Sequence, residues 1–337
     1  MIDFLASQKH YVDHIAPVWN ALLVEQRHNF YVPLSIVDYA KTKIRHSSMH
    51  LFQYERNFPS ESHPMLTCAY GDMLAARKNN PQRKILHMEH GTGHAFGTAA
   101  YPNGKGKRDY VSIFLAPNEY TKKLILSVRP NVPCEVIGTP KMDSQFPLQW
   151  KTAEHLSPSP VIAIAFHWGD KHSRPPESGS AWEHYKELLP LLNKRYRIIG
   201  HGHPLAAHTY KEEFERVGIE WVEHFEDVLM RADIYINDLS STLYEFLITG
   251  KPVIVLNAPW FRRDTHWGIR FWDYSDIGIN VEEPEQLFQA IDRTIVEYST
   301  LHLRERMKAV YDLYPYLGYS SQQAASVIAD YLRNNDL

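Results

Sequence analysis

The sequence predicts an α/β protein made of two successive doubly wound units with parallel sheets, and three observations point there. Short apolar runs bounded by turn residues alternate with helical periods along most of the chain, the pattern of strands buried on both faces. A stretch with three prolines and no period, 146–161, interrupts the alternation near the middle, and the same order then restarts. Segments rich in chemically active residues come directly after strand runs, where doubly wound sheets bind ligands.

In the first half the strand runs are MIDFLA (1–6), MLTCAY (65–70), KILHMEH (84–90), YVSIFLAP (110–117) and CEVIG (134–138). Helical spacing occupies YVDHIAPVWNALLVE and NEYTKKLILSV between them. The second half offers VIAIAFHW (161–168), a helix from about Ala181 to Lys194, and YRIIGHGHP (196–204). A helix near 206–217, IEWVE (219–223), IYINDL (234–239) and PVIVL (252–256) follow. From residue 282 onward the period is helical, without a strong strand signal. The expected domains are 1–148, 149–300 and a set of C-terminal helices, 301–337, packing back across both. Two such sheets facing each other would leave a ligand cleft between them.

A chain of 337 residues with 44% hydrophobic content buries a large core. No run approaches a membrane span, and the N-terminus lacks the pattern of a secretory signal. The cytoplasm is the expected location, with peripheral membrane contact and oligomeric state left open. Cys68 and Cys134 read as reduced core residues. The formal charge of -3 hides an asymmetry: residues 1–150 carry 17 Lys/Arg against 12 Asp/Glu, and residues 151–337 carry 19 against 27. Arg77, Lys78, Arg83, Lys84, Lys105, Lys107 and Arg108 lie close together, enough charge to attract a polyanion. Ordinary solvated loops account for the same cluster.

The segment Asp238-Leu239-Ser240-Ser241-Thr242 leads into a short helix. Free N–H groups at a helix start, with the hydroxyls of Ser240, Ser241 and Thr242, make a preformed site for phosphate oxygens. Helix capping needs only one hydroxyl, and Thr242 with Glu245 satisfies the capping-box spacing. Glu245 alternatively reaches a ribose hydroxyl beside a bound diphosphate. His90 sits in His-Gly-Thr-Gly-His, where the glycines let the backbone approach a ligand closely and a neutral imidazole can take a proton near pH 7. His201 and His203 follow another strand and are placed to donate to a diphosphate.

A metal group of His87, His90 and His94 has no standard ligand spacing, and the reading assigns no metal. No Asp-x-Asp occurs, so helix dipoles, hydroxyls and histidines must neutralise the phosphates. Dinucleotide and P-loop glycine signatures are absent, which argues against dehydrogenases and P-loop enzymes.

With these residues in hand, the chain resembles the CDP-glycerol glycerophosphotransferases of teichoic-acid synthesis, a family of GT-B architecture. The likeness rests on HGT at 90–92, IGTPKMD at 137–143, HP at 203–204 and DLSSTLYEFLITGKPVI at 238–254. It implies two Rossmann-like domains, His90 as base, and His203 with Ser240 and Ser241 on the donor phosphates. Gly91, Thr92, His201, Asp238, Thr242 and Glu245 complete the expected donor site, with Lys105, Lys107 and Arg108 toward the acceptor. Lys141 stands where that family tends to have Arg. Glu245 replaces an expected Asp and resembles the ribose-binding residue of nucleotide-sugar transferases and UDP-sugar 2-epimerases.

The expected activity is transfer of a glycerophosphoryl or related polyol phosphate group from a CDP-linked donor to a hydroxyl, with no cofactor beyond the donor. A phosphate-rich polymer or nucleic acid is the expected acceptor. The alternatives are a nucleotide-sugar glycosyltransferase acting on a glycan or on a hydroxylated base in nucleic acid, a UDP-sugar 2-epimerase, and a non-catalytic nucleotide-binding module.

Overall fold

A computed structural model describes residues 1–45, 63–91, 110–145, 156–169, 179–204, 206–261 and 272–335. The chain divides into two compact units. Among the described residues, one holds 1–91, 110–145 and 312–335, and the other holds 156–169, 179–204, 206–261 and 272–311.

The first unit is a six-stranded sheet of β1 (Ile2–Leu5), β2 (Arg27–Tyr31), β3 (Met65–Thr67), β4 (Ile85–Met88), β5 (Val111–Ala116) and β6 (Cys134–Val136). Their order is β2-β1-β3-β4-β5-β6, and all pairs are parallel. The chain therefore steps from β1 to β2 on one side and then crosses to β3 on the other. The connections diverge at the C-terminal ends of β1 and β3, which opens a crevice position there.

The second unit contains β7 (Val161–Phe166), β8 (Arg197–Gly202), β9 (Glu220–Trp221), β10 (Ile234–Asn237), β11 (Val253–Leu256) and β12 (Gly278–Val281). The order β12-β11-β10-β7-β8-β9, again all parallel, puts the corresponding switch point between β7 and β10. Every residue of β7 is buried, as the unbroken apolar run VIAIAF requires of a strand covered on both faces.

Two strands that the apolar runs do not announce, β2 and β12, are edge strands. One begins Arg-His-Asn and the other carries Gly and Asn, compositions that a strand with one free side tolerates. The helix expected over 181–194 is broken. Helix Trp182–Tyr185 passes through a tight turn, Lys186–Leu188, into helix Leu189–Arg195, where Pro190 occupies the first turn and supplies no N–H.

The C-terminal helices part company. Helix Gln286–Val296 packs on β11 and β12, whereas helix Ser320–Asn334 returns to the first unit and puts Ala324, Ile328 and Leu332 into a core with Val12, Ile15 and Trp19. The IGTPKMD stretch holds that return. Asp143 accepts from the amides of Ser320 (3.0 Å) and Ser321 (2.7 Å) at the helix start and also from the Ser321 hydroxyl. Gly138 has a φ of +80°, and a Cβ there would lie 2.3 Å from Ser320 Oγ, so this turn requires glycine. No helix among the described residues is long and apolar enough to cross a membrane.

Candidate functional site

At the switch point of the second unit one carboxylate organises the backbone. Asp238, fully buried just after β10, accepts from the His167 amide (2.8 Å) and the Leu239 amide (2.7 Å) through Oδ1. Its Oδ2 accepts from the Ala181 amide (2.7 Å) and Ser180 Oγ (3.1 Å). Four donors occupy the carboxylate, so Asp238 ties the end of β7 to the start of the following helix. It shapes the edge from behind.

The hydroxyls then form a relay. Asn237 Nδ2 donates to the Tyr235 hydroxyl (3.0 Å), which meets Thr242 Oγ1 at 2.8 Å, and Thr242 Oγ1 lies 2.9 Å from Ser240 Oγ. The Ser240 amide is held by Asn237 Oδ1 at 3.0 Å. Ser240, Ser241 and Thr242 are all half-buried. The Thr242–Glu245 capping box does not form. The helix begins at Thr242 with Ser241 as cap residue and no side-chain capping bond, while Ser241 Oγ approaches the buried Glu245 carboxylate at 3.4 Å. Thr242 and Ser240 thus belong to the relay, while Ser241 is paired with Glu245.

The closing Gly-Lys-Pro is architectural. Gly250 takes φ 73° to end the helical run, and the Lys251 ammonium donates to the carbonyls of Leu229 and Ala232 at the end of helix Phe225–Arg231.

The two histidines after β8 separate. His201 is buried, bonded through Nδ1 to the Val222 carbonyl (2.8 Å), with its ring between Trp221 and Phe225. His203 lies past the strand end, half-buried, 5.2 Å from the ring of His167 and 6.1 Å from that of Trp168. Trp168 is 38% exposed at the end of β7, an aromatic face beside the hydroxyl relay's sheet edge. The glycines of GHGHP serve packing: a Cβ on Gly200 would meet Phe214 at 2.6 Å and one on Gly202 would meet Tyr210 at 2.7 Å. His167 and Trp168 were legible only as residues following a strand.

In the first unit His90 follows β4. Its Nδ1 is 2.7 Å from the Cys68 carbonyl, which can only accept, so Nδ1 carries the proton and Nε2 the lone pair. Gly91 has φ 90°, which calls for glycine, and its amide points to His14 Nδ1 at 3.4 Å. His10, Tyr11 and His14 on helix Lys9–Ala21 surround the His90 ring at 6.3, 5.1 and 6.1 Å.

Burial, with Lys141 adding to it, pulls His10 down to about 4, so its imidazole is neutral at pH 7. Nearby Asp72, fully buried, accepts from the Ser7 amide at 3.1 Å, and burial pushes its carboxyl up to about 6. The spacing of His10 and His14, i and i+4 after a strand, was the available signal for this group.

His87 stands apart from His90, against Thr67 Oγ1 (3.2 Å) and Glu89 (3.6 Å). Thr92, His94, Lys105, Lys107 and Arg108 lie outside the described residues. Cys68 and Cys134 are free buried thiols, their pKa values raised by burial, Cys134 to about 12.

Two parallel doubly wound sheets, each with polar chemistry at its switch point, define a GT-B architecture. Residues 180–332 match the family model of CDP-glycerol:poly(glycerophosphate) glycerophosphotransferase. The matched range takes in His201, His203 and Asp238 to Glu245, whereas the HGT and IGTPKMD stretches lie outside it.

Among solved structures, the wall teichoic acid polymerase TagF aligns with a TM-score of 0.66 at 15% identity, over 99% of this chain and 89% of that one. A TagF variant soaked with CDPG gives 0.65 at 13%, over 99% and 89%. A putative UDP-N-acetylglucosamine 2-epimerase from Listeria monocytogenes gives 0.66 at 13%, over 99% and 96%. These likenesses are of fold. No curated protein matches the chain.

Proposed function

We propose that the protein transfers a glycerophosphoryl or related polyol phosphate group from a CDP-linked donor to an acceptor hydroxyl. The observation that supports this most is the glycerophosphotransferase family match over 180–332, which spans the His203 and Asp238–Glu245 edge of the second unit. TagF, one of the chains of the same fold, has been soaked with CDPG.

In this reading the second unit binds the donor. Ser240, Ser241 and the amides of the helix start take phosphate oxygens, His203 donates to the leaving phosphate, and Trp168 offers a face to the base. Asp238 and Thr242 hold that edge in shape, and His201 supports the strand end. The first unit supplies the base. The acceptor oxygen forms a bond to the phosphorus that carries the polyol, the bond from that phosphorus to CMP breaks, and the acceptor proton passes to His90 Nε2. The Cys68 carbonyl fixes the tautomer that this transfer needs. Fixed donors, with no paired carboxylates for a divalent ion, make the chemistry independent of added metal.

A nucleotide-sugar reading shares the fold and is the competing one, since the 2-epimerase aligns equally well. The deciding experiment presents CDP-, UDP-, GDP- and ADP-linked donors with and without hydroxyl acceptors and follows nucleotide release. Acceptor-dependent release of CMP from a CDP-polyol is the expected result. Release of UDP from a UDP-sugar, or turnover of a UDP-sugar without any acceptor, would replace this reading with glycosyl transfer or epimerisation respectively.

A further inference from the structure

Asp3, His28 and His63 come together at the N-terminal edge of the first sheet, the edge opposite His90. Asp3 belongs to β1, His28 to β2, and His63 stands just ahead of β3. Parallel pairing of Ile2 with Arg27 and of Asp3 with Met65 brings these strand starts side by side. One ligand-type atom from each residue falls within 4.8 Å of the other two. The imidazoles lie 3.9 Å apart between centroids at 33°, and His28 Nδ1 is 2.8 Å from Asp3 Oδ1.

Arg83, buried, donates through Nη2 to Asp3 Oδ2 (2.8 Å) and through Nε to the His63 carbonyl (3.0 Å). One guanidinium therefore orients both the carboxylate and the backbone that carries the second imidazole. Asp3 is fully buried.

We propose that Asp3, His28 and His63 form a binding site for one divalent ion of the zinc type, which staples the starts of β1, β2 and β3. Two imidazoles and a carboxylate are the donor set that Zn²⁺ takes at about 2.0–2.2 Å, with a fourth position left for water. Donors around a tetrahedral ion sit about 3.3 Å apart, so closure from the present arrangement needs side-chain movement of about an ångström. The carboxylate is held on its far oxygen by Arg83, the kind of outer hydrogen bond that orients metal-binding carboxylates. The site is remote from His90 along the strands, so the ion acts on stability and leaves the transfer chemistry to the opposite edge.

The rival is a plain hydrogen-bond network of Asp3, His28, Arg83 and Asn29 that takes no ion, in which the Asn29 amide donates to Asp3 Oδ1 (3.1 Å) and Asn29 Nδ2 lies 3.0 Å from His28 Nδ1, and a chain with 19 histidines also offers adventitious sites. The test strips the protein with EDTA, adds Zn²⁺ or Co²⁺, and measures ion retained after desalting, Co²⁺ visible absorption and the melting temperature. The expected result is one ion per chain, an absorption band of a low-coordinate Co²⁺ site, and a rise of about 5 °C at an ion concentration 100-fold above Kd. His28→Ala and His63→Ala should each lose all three signals, while His208→Ala, an exposed surface histidine, keeps them.

Far-UV circular dichroism checks that the variants fold, and His63→Gln serves if His63→Ala does not. No retained ion in the parent protein overturns the proposal. So does an ion held equally by a folded His28→Ala/His63→Ala variant.

Discussion

The C-terminal edges of the two sheets share a topology and differ in chemistry. The first gathers imidazoles, His10, His14 and His90, around a fixed tautomer, with the titratable Asp72 close behind. The second is organised by Asp238, whose oxygens are filled by four donors, and by a relay of hydroxyls running from Tyr235 to Ser240. In the proposed reaction the first edge moves a proton and the second presents fixed donors. Substitutions that act on one edge should therefore leave a signature different from those on the other.

The largest expected effect is at the edge that carries His90. His90→Ala should lower turnover by about 10² to 10⁴ with donor affinity nearly unchanged. Turnover within a few-fold of the parent, in a protein shown to be folded, would remove the base from His90 and dissolve the contrast between the edges.

Next comes the scaffold of the other edge. Asp238→Ala strands the amides of His167 and Ala181 and the Ser180 hydroxyl in the interior, and should cost about 3 kcal/mol of unfolding free energy. A chemical-denaturation shift below about 1 kcal/mol would mean that the carboxylate does not organise the switch point.

Asp72 gives an effect of similar size that depends on pH. The carboxyl sits at about 6 in the folded chain and near 3.8 unfolded, so the fold keeps a proton that the unfolded chain releases between these values. The stabilisation is complete below the unfolded pKa and is lost as pH rises through about 6. Asp72→Asn, neutral throughout, should gain on the parent by about 3 kcal/mol above that pH and lose most of the advantage at pH 4. A difference that does not change with pH would show that the burial of Asp72 carries no electrostatic cost.

The smallest effect belongs to the hydroxyls. Ser240→Ala with Ser241→Ala should weaken binding of a nucleoside diphosphate about tenfold by calorimetry. Unchanged affinity with a lowered melting temperature would make this stretch a helix start and nothing more.

Much of this was legible before folding. The apolar runs gave ten strands because a strand covered on both faces must be apolar throughout, and β7 shows it residue by residue. The edge strands β2 and β12 escaped because one begins Arg-His-Asn and the other carries Gly and Asn, so neither makes an apolar run. Among candidate residues, His90, His203, Ser240 and Ser241 were visible from glycine and hydroxyl chemistry after strands. The division of labour among them was not, since spacing alone gives His201 and His203 equal standing. Only the packing of Trp221 and Phe225 around His201 separates them.

The sequence by itself determined two parallel α/β units with active chemistry at strand ends, because hydrophobic period and turn residues act locally and write themselves into contiguous residues. The tertiary structure decided which polar groups are tied into the scaffold. Asp238 is filled by donors 57 and 71 residues away, Asp143 by amides 177 and 178 residues away, and the tautomer of His90 is set by a carbonyl 22 residues away. A hydrogen bond is satisfied in space and leaves no periodic trace along the chain, so such partners become known only when the sheets have formed.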